Sequence, residues 1–372
     1  MLKYLLVLLD NNATSFCYYK TLPFGNDEII SIDSLKQIVG YANRNALHIN
    51  FLFGKKKIPQ KYEKIIDTIV HTKIIPIDLI TKYPSSIIVI SSDDLGLIST
   101  LKNNIIQNII LRMEKSQLNK LSDIVKSLLN KCKRLNLMLL DIQDFTQYDY
   151  DLYYEQLLII EKYIIDLYRS KQPIELNFIS DRILLSEMNN CNAGVTHFTF
   201  APNGKFYLCP AFCYANPEDS IGDLTNGIQV NNAHLLSLQY APICRRCDAY
   251  HCKRCIYLNK LTTLELNTPS QQQCTISHLE RNTSKNILEL LKPEIAEFQN
   301  LQDIQALSYL DPFELVKNDR LSQLSDTYNS PEYQNLPDEN IIRFENMTDR
   351  EILFSIYQMQ KEILLRFNNF NN

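Results

Sequence analysis

Apolar residues recur along the first half of the chain in two alternating rhythms. Short apolar runs at Tyr4–Leu9, His48–Phe53, Lys73–Ile77, Ile87–Ser91, Asn108–Met113, Leu135–Asp141 and Ile174–Ile179 read as strands. Between several of them lie segments in a helical rhythm. The clearest are Leu118, Leu121, Ile124, Val125, Leu128 and Leu129, then Leu157, Ile160, Ile164 and Leu167. Steps of three and four residues put each set on one helix face. Strands alternating with such helices predict βα units around a mostly parallel sheet, with these stripes serving as core. Cys132 lies on the apolar face of a helix expected to end there and reads as a packing residue.

The rhythm breaks near Asn189, and turns, aromatic residues and cysteines prevail until about Asn282. Thr196 to Cys209 predicts a β-hairpin, because alternating residues flank Asn203-Gly204, a dipeptide suited to positive φ in a tight turn. That hairpin would deliver Cys209 at the end of its second strand, with His197 on the surface. After Asn282 the chain turns helical and free of cysteine. Residues 317–345, rich in Asn, Ser, Asp, Gln and Pro, predict a loop or linker. Thr348-Asp-Arg-Glu351 is a capping-box pattern opening a last helix through Ile352, Ile356 and Ile363. Its amphipathic stretch Ile352–Phe367 could recruit a partner.

Composition narrows the classes. The chain has 372 residues, 38 basic and 42 acidic side chains and a net charge of −4, which excludes a polybasic nucleic-acid arm as the main function. Its length predicts two or three domains, and 45% hydrophobic with 22% charged residues describes a chain that buries a core. Only eight glycines are present, and neither G-x-G-x-x-G nor G-x-x-x-x-G-K-[ST] occurs. No apolar run reaches the roughly 18–20 residues a membrane span needs. The N-terminal run is stopped by Asp10 with no small-residue cleavage site after it, so it reads as a buried strand and the expected location is cytoplasmic.

Ten cysteines change the picture. Eight of them, Cys191, Cys209, Cys213, Cys244, Cys247, Cys252, Cys255 and Cys274, fall in one stretch, which points to metal rather than disulfides. The run from Cys244 to Cys255 is C-x2-C-x4-C-x2-C. Zinc-ribbon knuckles usually stand about 15–20 residues apart, so this connection is tight for a ribbon. In iron–sulfur proteins three closely spaced cysteines can hold one cluster while the next ligates a neighbour. On that logic Cys244, Cys247 and Cys252 join Cys274, and Cys255 reaches back to Cys191, Cys209 and Cys213. Structural zinc is the alternative.

Arg245, Arg246, Lys253 and Arg254 surround the run, either to stabilise anionic clusters or as a solvated surface. His251 is expected to turn outward or to be hydrogen-bonded rather than to ligate. Cys17, beside Phe16, Tyr18, Tyr19 and Lys20, is a candidate nucleophile.

Cys191, twelve residues, Gly204, four residues, Cys209, then the cysteine run and Cys274 resembles the SPASM domain of radical SAM peptide-modifying enzymes. The resemblance implies two auxiliary [4Fe–4S] clusters, although the usual run there is C-x2-C-x5-C-x3-C. The preceding half resembles the partial β/α barrel of radical SAM enzymes. In that family the loop after the first strand bears C-x3-C-x2-C for the S-adenosylmethionine cluster, whereas here the loop has Cys17 alone. The combination is similar to the CXXX repeat peptide maturase family. It is carried by Leu6-Val-Leu-Leu-Asp10, Ser15-Phe-Cys17, Ile69-Val-His-Thr-Lys73-Ile, Cys252-Lys-Arg-Cys255, Asn259 through Pro269, Cys274 and His278-Leu-Glu-Arg-Asn282.

The resemblance implies a degenerate radical-SAM-like α/β domain over 1–183, a SPASM-like iron–sulfur domain over 184–283 and a helical C-terminal region over 284–372. It further implies maturation of a cysteine-repeat precursor peptide beside a separate radical SAM enzyme, without S-adenosylmethionine cleavage by this chain. The two clusters would serve as an electron relay or a peptide docking point. A zinc-stapled, non-catalytic adaptor that recruits a modifying enzyme is the alternative.

Overall fold

Each of the seven apolar runs becomes a strand: β1 (Tyr4–Leu8), β2 (His48–Leu52), β3 (His71–Pro76), β4 (Ile87–Ile90), β5 (Ile106–Met113), β6 (Cys132–Leu139) and β7 (Glu175–Leu176). The structure is a computed structural model that describes residues 2–19, 29–100, 106–172 and 174–314. These strands pair in sequence order and all run parallel. On the other side of β1 lies β8 (His197–Phe200), also parallel, followed by antiparallel β9 (Lys205–Tyr207), β10 (Gly222–Asp223) and β11 (Gly227–Ile228). Gly204 takes φ +78° in the β8–β9 turn, a conformation that glycine adopts without a Cβ clash.

The helices in order are α1 (Ile32–Arg44), α2 (Gln60–Ile66), α3 (Leu121–Leu129), α4 (Gln147–Arg169), α5 (Ser180–Leu184), α6 (Pro210–Ala215), α7 (Ile256–Thr263) and α8 (Gln271–Leu291). The Ser31 hydroxyl caps α1 by accepting from Ser34 N at 3.0 Å, and Asp149 returns a capping bond to Thr146 N at 2.8 Å in α4. Helix α8 runs unbroken past residue 283. Cys132 opens strand β6 instead of ending a helix, because α3 stops at Leu129 and a short turn intervenes. It is nevertheless buried in the core, as a packing residue should be.

Strand side chains alternate between two faces, and both faces are covered. Leu5, Val7, Phe51, Ile88, Leu111 and Leu137 pack with helix residues such as Leu35, Ile38, Val125 and Leu157. Leu6, Leu8, Leu52, Val89, Ile110 and Met138 instead meet Ala13, Tyr19, Phe212 and Ile256, which come from the loop after β1 and from the cysteine-rich region. Gly54 permits the close approach at the root of that loop, since a Cβ there would lie 2.4 Å from the Asp10 carboxylate.

His197 is not on the surface. Pairing of β8 with β1 buries it, and its ring stacks on Tyr4 at 4.7 Å. The expected loop at 317–345 and the capping box at Thr348 with the helix to Phe367 lie outside the described residues. Among the described residues no helix is long and apolar enough to cross a membrane.

Burial pushes the His197 pKa from 6.5 down to about 4. The unfolded imidazole takes up its proton first as pH falls, so the contribution is complete above pH 6.5 and is lost on descent towards pH 4. The loss should reach about 3 kcal/mol. His197→Phe keeps the stacked ring without the titration, so urea unfolding should show it losing about 3 kcal/mol less than the wild type across that window. Equal losses would refute the assignment.

Candidate metal centre

The chain leaving β1 folds back over the face of the sheet that α1 to α4 leave uncovered. Tyr214 on α6 donates its hydroxyl to the Ala13 carbonyl at 3.4 Å, and its ring stacks on Tyr19 at 5.6 Å. From β5, Arg112 donates through Nε to the Cys17 carbonyl at 3.2 Å and through Nη2 to the Tyr19 carbonyl at 2.5 Å. Two elements, α6 and β5, therefore hold the loop around Cys17 in place.

The cysteines gather in two sets. Cys244, Cys247, Cys252 and Cys274 line one cavity, with Gln273, Ser277 and His278 completing part of its wall. Cys244 sits on a single helical turn, and Cys274 lies in the first turn of α8. The Cys247 sulfur accepts from Ala249 N at 3.4 Å and lies 3.8 Å from His278 Nε2. Thiolate charge on any member would act on every other member.

The second set combines distant parts of the chain. Cys17 from the β1 loop, Cys191, Cys209 at the start of α6 and Cys255 at the start of α7 are likewise all within electrostatic reach of one another. The Cys255 sulfur accepts from Leu258 N at 3.5 Å. Cys213, four residues after Cys209, is buried one turn into α6, and its thiol lies within hydrogen-bonding range of the Tyr207 hydroxyl. All ten cysteines are free of disulfides.

Burial raises every one of these thiols: Cys244 to about 11, and Cys17, Cys213 and Cys252 to about 12. Ligation to a metal ion would have to displace those protons. For Cys17 this is the reverse of what an activated nucleophile needs, and Lys20 lies outside the described residues.

The cations divide by position. Arg245 and Arg246 are exposed. Arg254 is 1% exposed and lies between the sets, acting on Cys191 and Cys255 of one and on Cys244 and Cys252 of the other. It donates to Asn267 Oδ1 at 2.6 Å, to Asn190 Oδ1 at 3.3 Å and to the Leu236 carbonyl. Burial lowers the pKa of Lys253, which faces Asp181, Cys191 and Cys17. Backbone amides and buried cations beside sulfur suit an anionic iron–sulfur cluster.

Surrounding polar groups fix the cysteine loops. Burial alone would raise the Asp248 pKa, but Arg281 and Arg182 hold it below the usual range. Arg281 makes two bonds of 2.6 Å and Arg182 one of 3.0 Å. This clamps the segment after Cys247 to α8 and α5. His251 is buried, and its Nε2 pairs with Glu280 Oε2 at 3.1 Å, while the Tyr153 hydroxyl donates to Glu280 Oε1 at 2.6 Å. Tyr18, His251, Cys252, Lys253 and Glu280 share a cavity of about 40 Å³.

Sequence spacing did not foresee Tyr18, the Glu280 network or the position of Cys17. The one signal was the apolar run of aromatic residues around Cys17, unusual in an exposed loop. Among the described residues no three Cys, His, Asp or Glu side chains converge tightly enough to hold one metal ion. Tetrahedral zinc–thiolate ligation at about 2.3 Å would place the sulfurs roughly 3.8 Å apart. A polynuclear cluster spreads its ligands more widely.

No protein-family model matches the chain, and no curated protein matches it. Among solved structures it is similar to hexahistidine-tagged anSMEcpe with bound AdoMet, at 12% identity and TM-score 0.55, over 80% of this chain and 97% of that one. It is also similar to native anSMEcpe with bound AdoMet and Cp18Cys peptide, at 12% identity and TM-score 0.54, over 78% and 99% of the two chains. This likeness concerns the fold, a mixed α/β architecture with a large parallel sheet consistent with the radical-SAM-like arrangement expected above. SuiB of Streptococcus suis bound to S-adenosylmethionine reaches 14% identity over 65% of this chain and 67% of that one, with TM-score 0.36, too low to support an argument.

Replacing Arg254 with Met leaves its three buried acceptors without a donor, so stability should fall by about 3 kcal/mol or more. Arg254→Lys should not restore it, because one ammonium cannot reproduce the guanidinium fork. Urea unfolding under anaerobic conditions measures both. A loss below about 1 kcal/mol for Arg254→Met would contradict the assigned role.

Proposed function

We propose that the chain takes part in maturing a ribosomally made cysteine-repeat (CXXX) precursor peptide. In this reading it carries two [4Fe–4S] clusters and acts beside a separate radical SAM enzyme, as a peptide-binding or electron-relay partner. The observation that carries the reading is the pair of thiol sets, both within electrostatic reach of buried Arg254. The fold shared with anSMEcpe, a protein seen with AdoMet and with the Cp18Cys peptide, supports a peptide as the substrate class.

The donor set fits such clusters. Cys244, Cys247, Cys252 and Cys274 would hold one, and Cys191, Cys209 and Cys255 would contribute to the other. When bound, clusters of this kind pass single electrons. Complete thiolate ligation favours relay, since direct docking of a substrate thiol requires an open iron. The amides of Ala249 and Leu258 and the guanidinium of Arg254 would offset the anionic charge.

The β1 loop bears a single cysteine, and one thiolate cannot hold the cluster that binds S-adenosylmethionine. Cleavage of that cofactor is accordingly assigned to the partner enzyme. Residues 1–183 then serve mainly as scaffold and residues 184–283 as the cluster-bearing region.

Anaerobically purified protein should contain about eight iron and eight labile sulfide per chain. It should form no 5′-deoxyadenosine from S-adenosylmethionine and dithionite, yet bind the cysteine-repeat peptide. Stoichiometric zinc without sulfide, in a colourless protein that still binds peptide, would replace this reading with the adaptor. Sustained 5′-deoxyadenosine formation would overturn the division of labour.

A further inference from the structure

We infer that Cys17 is the fourth thiolate of the set formed by Cys191, Cys209 and Cys255, and that Cys213 is not a ligand. The inference rests on the cluster-binding reading above and names one ligand within it. It begins from the path of the chain. A loop leaving the C-terminal end of a parallel strand is free to project beyond the sheet, but this one turns back. Ala13 and Tyr19 are buried against the sheet, and Phe16, Cys17 and Tyr18 pack beside them. Cys191, Cys209 and Cys213 belong to the same packed cluster.

Two independent tethers decide where Cys17 stops. Tyr214 ties the start of the loop to α6 through Ala13 and its end through the Tyr19 ring, and Cys209 is the residue that opens α6. Arg112 holds the backbone on both sides of Tyr18 by bonding the Cys17 and Tyr19 carbonyls. Arg112 is itself only 9% exposed, so a strong donor has been buried to fix two carbonyls of a loop. That arrangement holds Cys17 in the packed cluster with Cys191 and Cys209 and within electrostatic reach of those two sulfurs and of Cys255.

Cys213 has a different environment. Spacing of four from Cys209 would place both on one helix face, but Cys209 precedes the helix in extended conformation, at φ −156° and ψ 172°, so the regular offset does not apply. Its thiol lies instead against Tyr207, whose hydroxyl donates to the Pro217 carbonyl at 2.8 Å and accepts from Asn203 Nδ2 at 2.8 Å. Tyr207 is thereby fixed between β9 and the turn after α6, and Cys213 packs against it as a small apolar residue.

On cluster loading Cys17 would lose its proton to solvent as the iron–sulfur bond forms. Nearby Lys253, which also faces Cys191, would compensate the added negative charge. The loop would then be joined covalently to the distant cysteine-rich region, with Cys17 as one of four ligands.

The test compares metal and labile sulfide in the wild type and in Cys17→Ala, Cys213→Ala and Cys274→Ala, each purified anaerobically and checked for native elution by size exclusion. The wild type should hold about eight iron, Cys17→Ala and Cys274→Ala about four each, and Cys213→Ala about eight. Cys17→Ala and Cys274→Ala should each lose a different electron paramagnetic resonance signal after dithionite reduction. The conservative Cys17→Ser should retain iron but shift the signal that Cys17→Ala abolishes, which separates ligation from a folding defect.

Full iron with unchanged signals in Cys17→Ala, or loss of half the iron in Cys213→Ala, overturns the inference and leaves the two-cluster reading standing. If the wild type holds zinc without sulfide, the two-cluster reading fails, and Cys17 is still judged by whether its removal halves the zinc. A wild type without any metal defeats both.

Discussion

A parallel sheet with apolar side chains on both faces must be covered twice, and here the helices between its strands cover it only once. The alternation of Leu5 and Val7 with Leu6 and Leu8 in β1 shows the constraint most directly, since every residue from Leu5 to Leu8 is buried although neighbours point in opposite directions. Helices α1 to α4 take one face. The other is shielded by the β1 loop and by the cysteine-rich region with its short helices α6 and α7. Their position on the sheet brings Cys17 and Cys209 into one environment.

Such a cover is short of aliphatic bulk and contains polar backbone, so its interior has to be held by directed bonds. Arg254 shows how: one guanidinium satisfies Asn190, Asn267 and the Leu236 carbonyl, three positions widely separated in sequence. Asp248 with Arg281 and Arg182 does the same at the other end of the cysteine run. Burying two guanidinium groups of this kind is unfavourable unless their donors are matched and negative charge is near. Both conditions hold at Asp248, where the carboxylate is permanent. Around Arg254 the nearby anions are thiolates, which burial keeps protonated until a metal takes the proton's place. Metal loading would therefore complete the electrostatics of a cation that the fold has already buried.

Much of this was legible in the chain. Seven apolar runs became seven strands because parallel strands buried on both faces need continuous apolar sequence, and Asn203-Gly204 marked its hairpin through the one conformation that turn requires. Local pattern failed where burial depended on a distant partner. His197 looks exposed from its neighbours, yet β8 lies beside β1, which precedes it by almost the whole sheet. Cys132 was placed on a helix because an apolar stripe continued up to it, whereas α3 ends at Leu129 and the next apolar run is already strand. Cys17 is the sharpest case. Spacing places Cys213 beside Cys209, and both pack in one cluster, but it is the chain path that brings Cys17 there, and no local rule encodes a loop that doubles back over a sheet.

The segment Cys252-Lys-Arg-Cys255 now takes on a particular mechanical meaning. Cys252 belongs to one thiol set and Cys255 to the other, with the buried guanidinium of Arg254 between them. Cys255 also begins α7, so its backbone direction is set by the helix, while Cys252 is positioned against α8 through Gln273 at 4.0 Å. A connection of two residues between these cysteines permits little independent movement of either. Displacing one set must shift Arg254 and, through it, the field at the other. Under the proposed function, clusters held by these two sets would feel one another through Arg254, an arrangement better suited to passing charge between fixed points than to opening one of them for exchange with solvent.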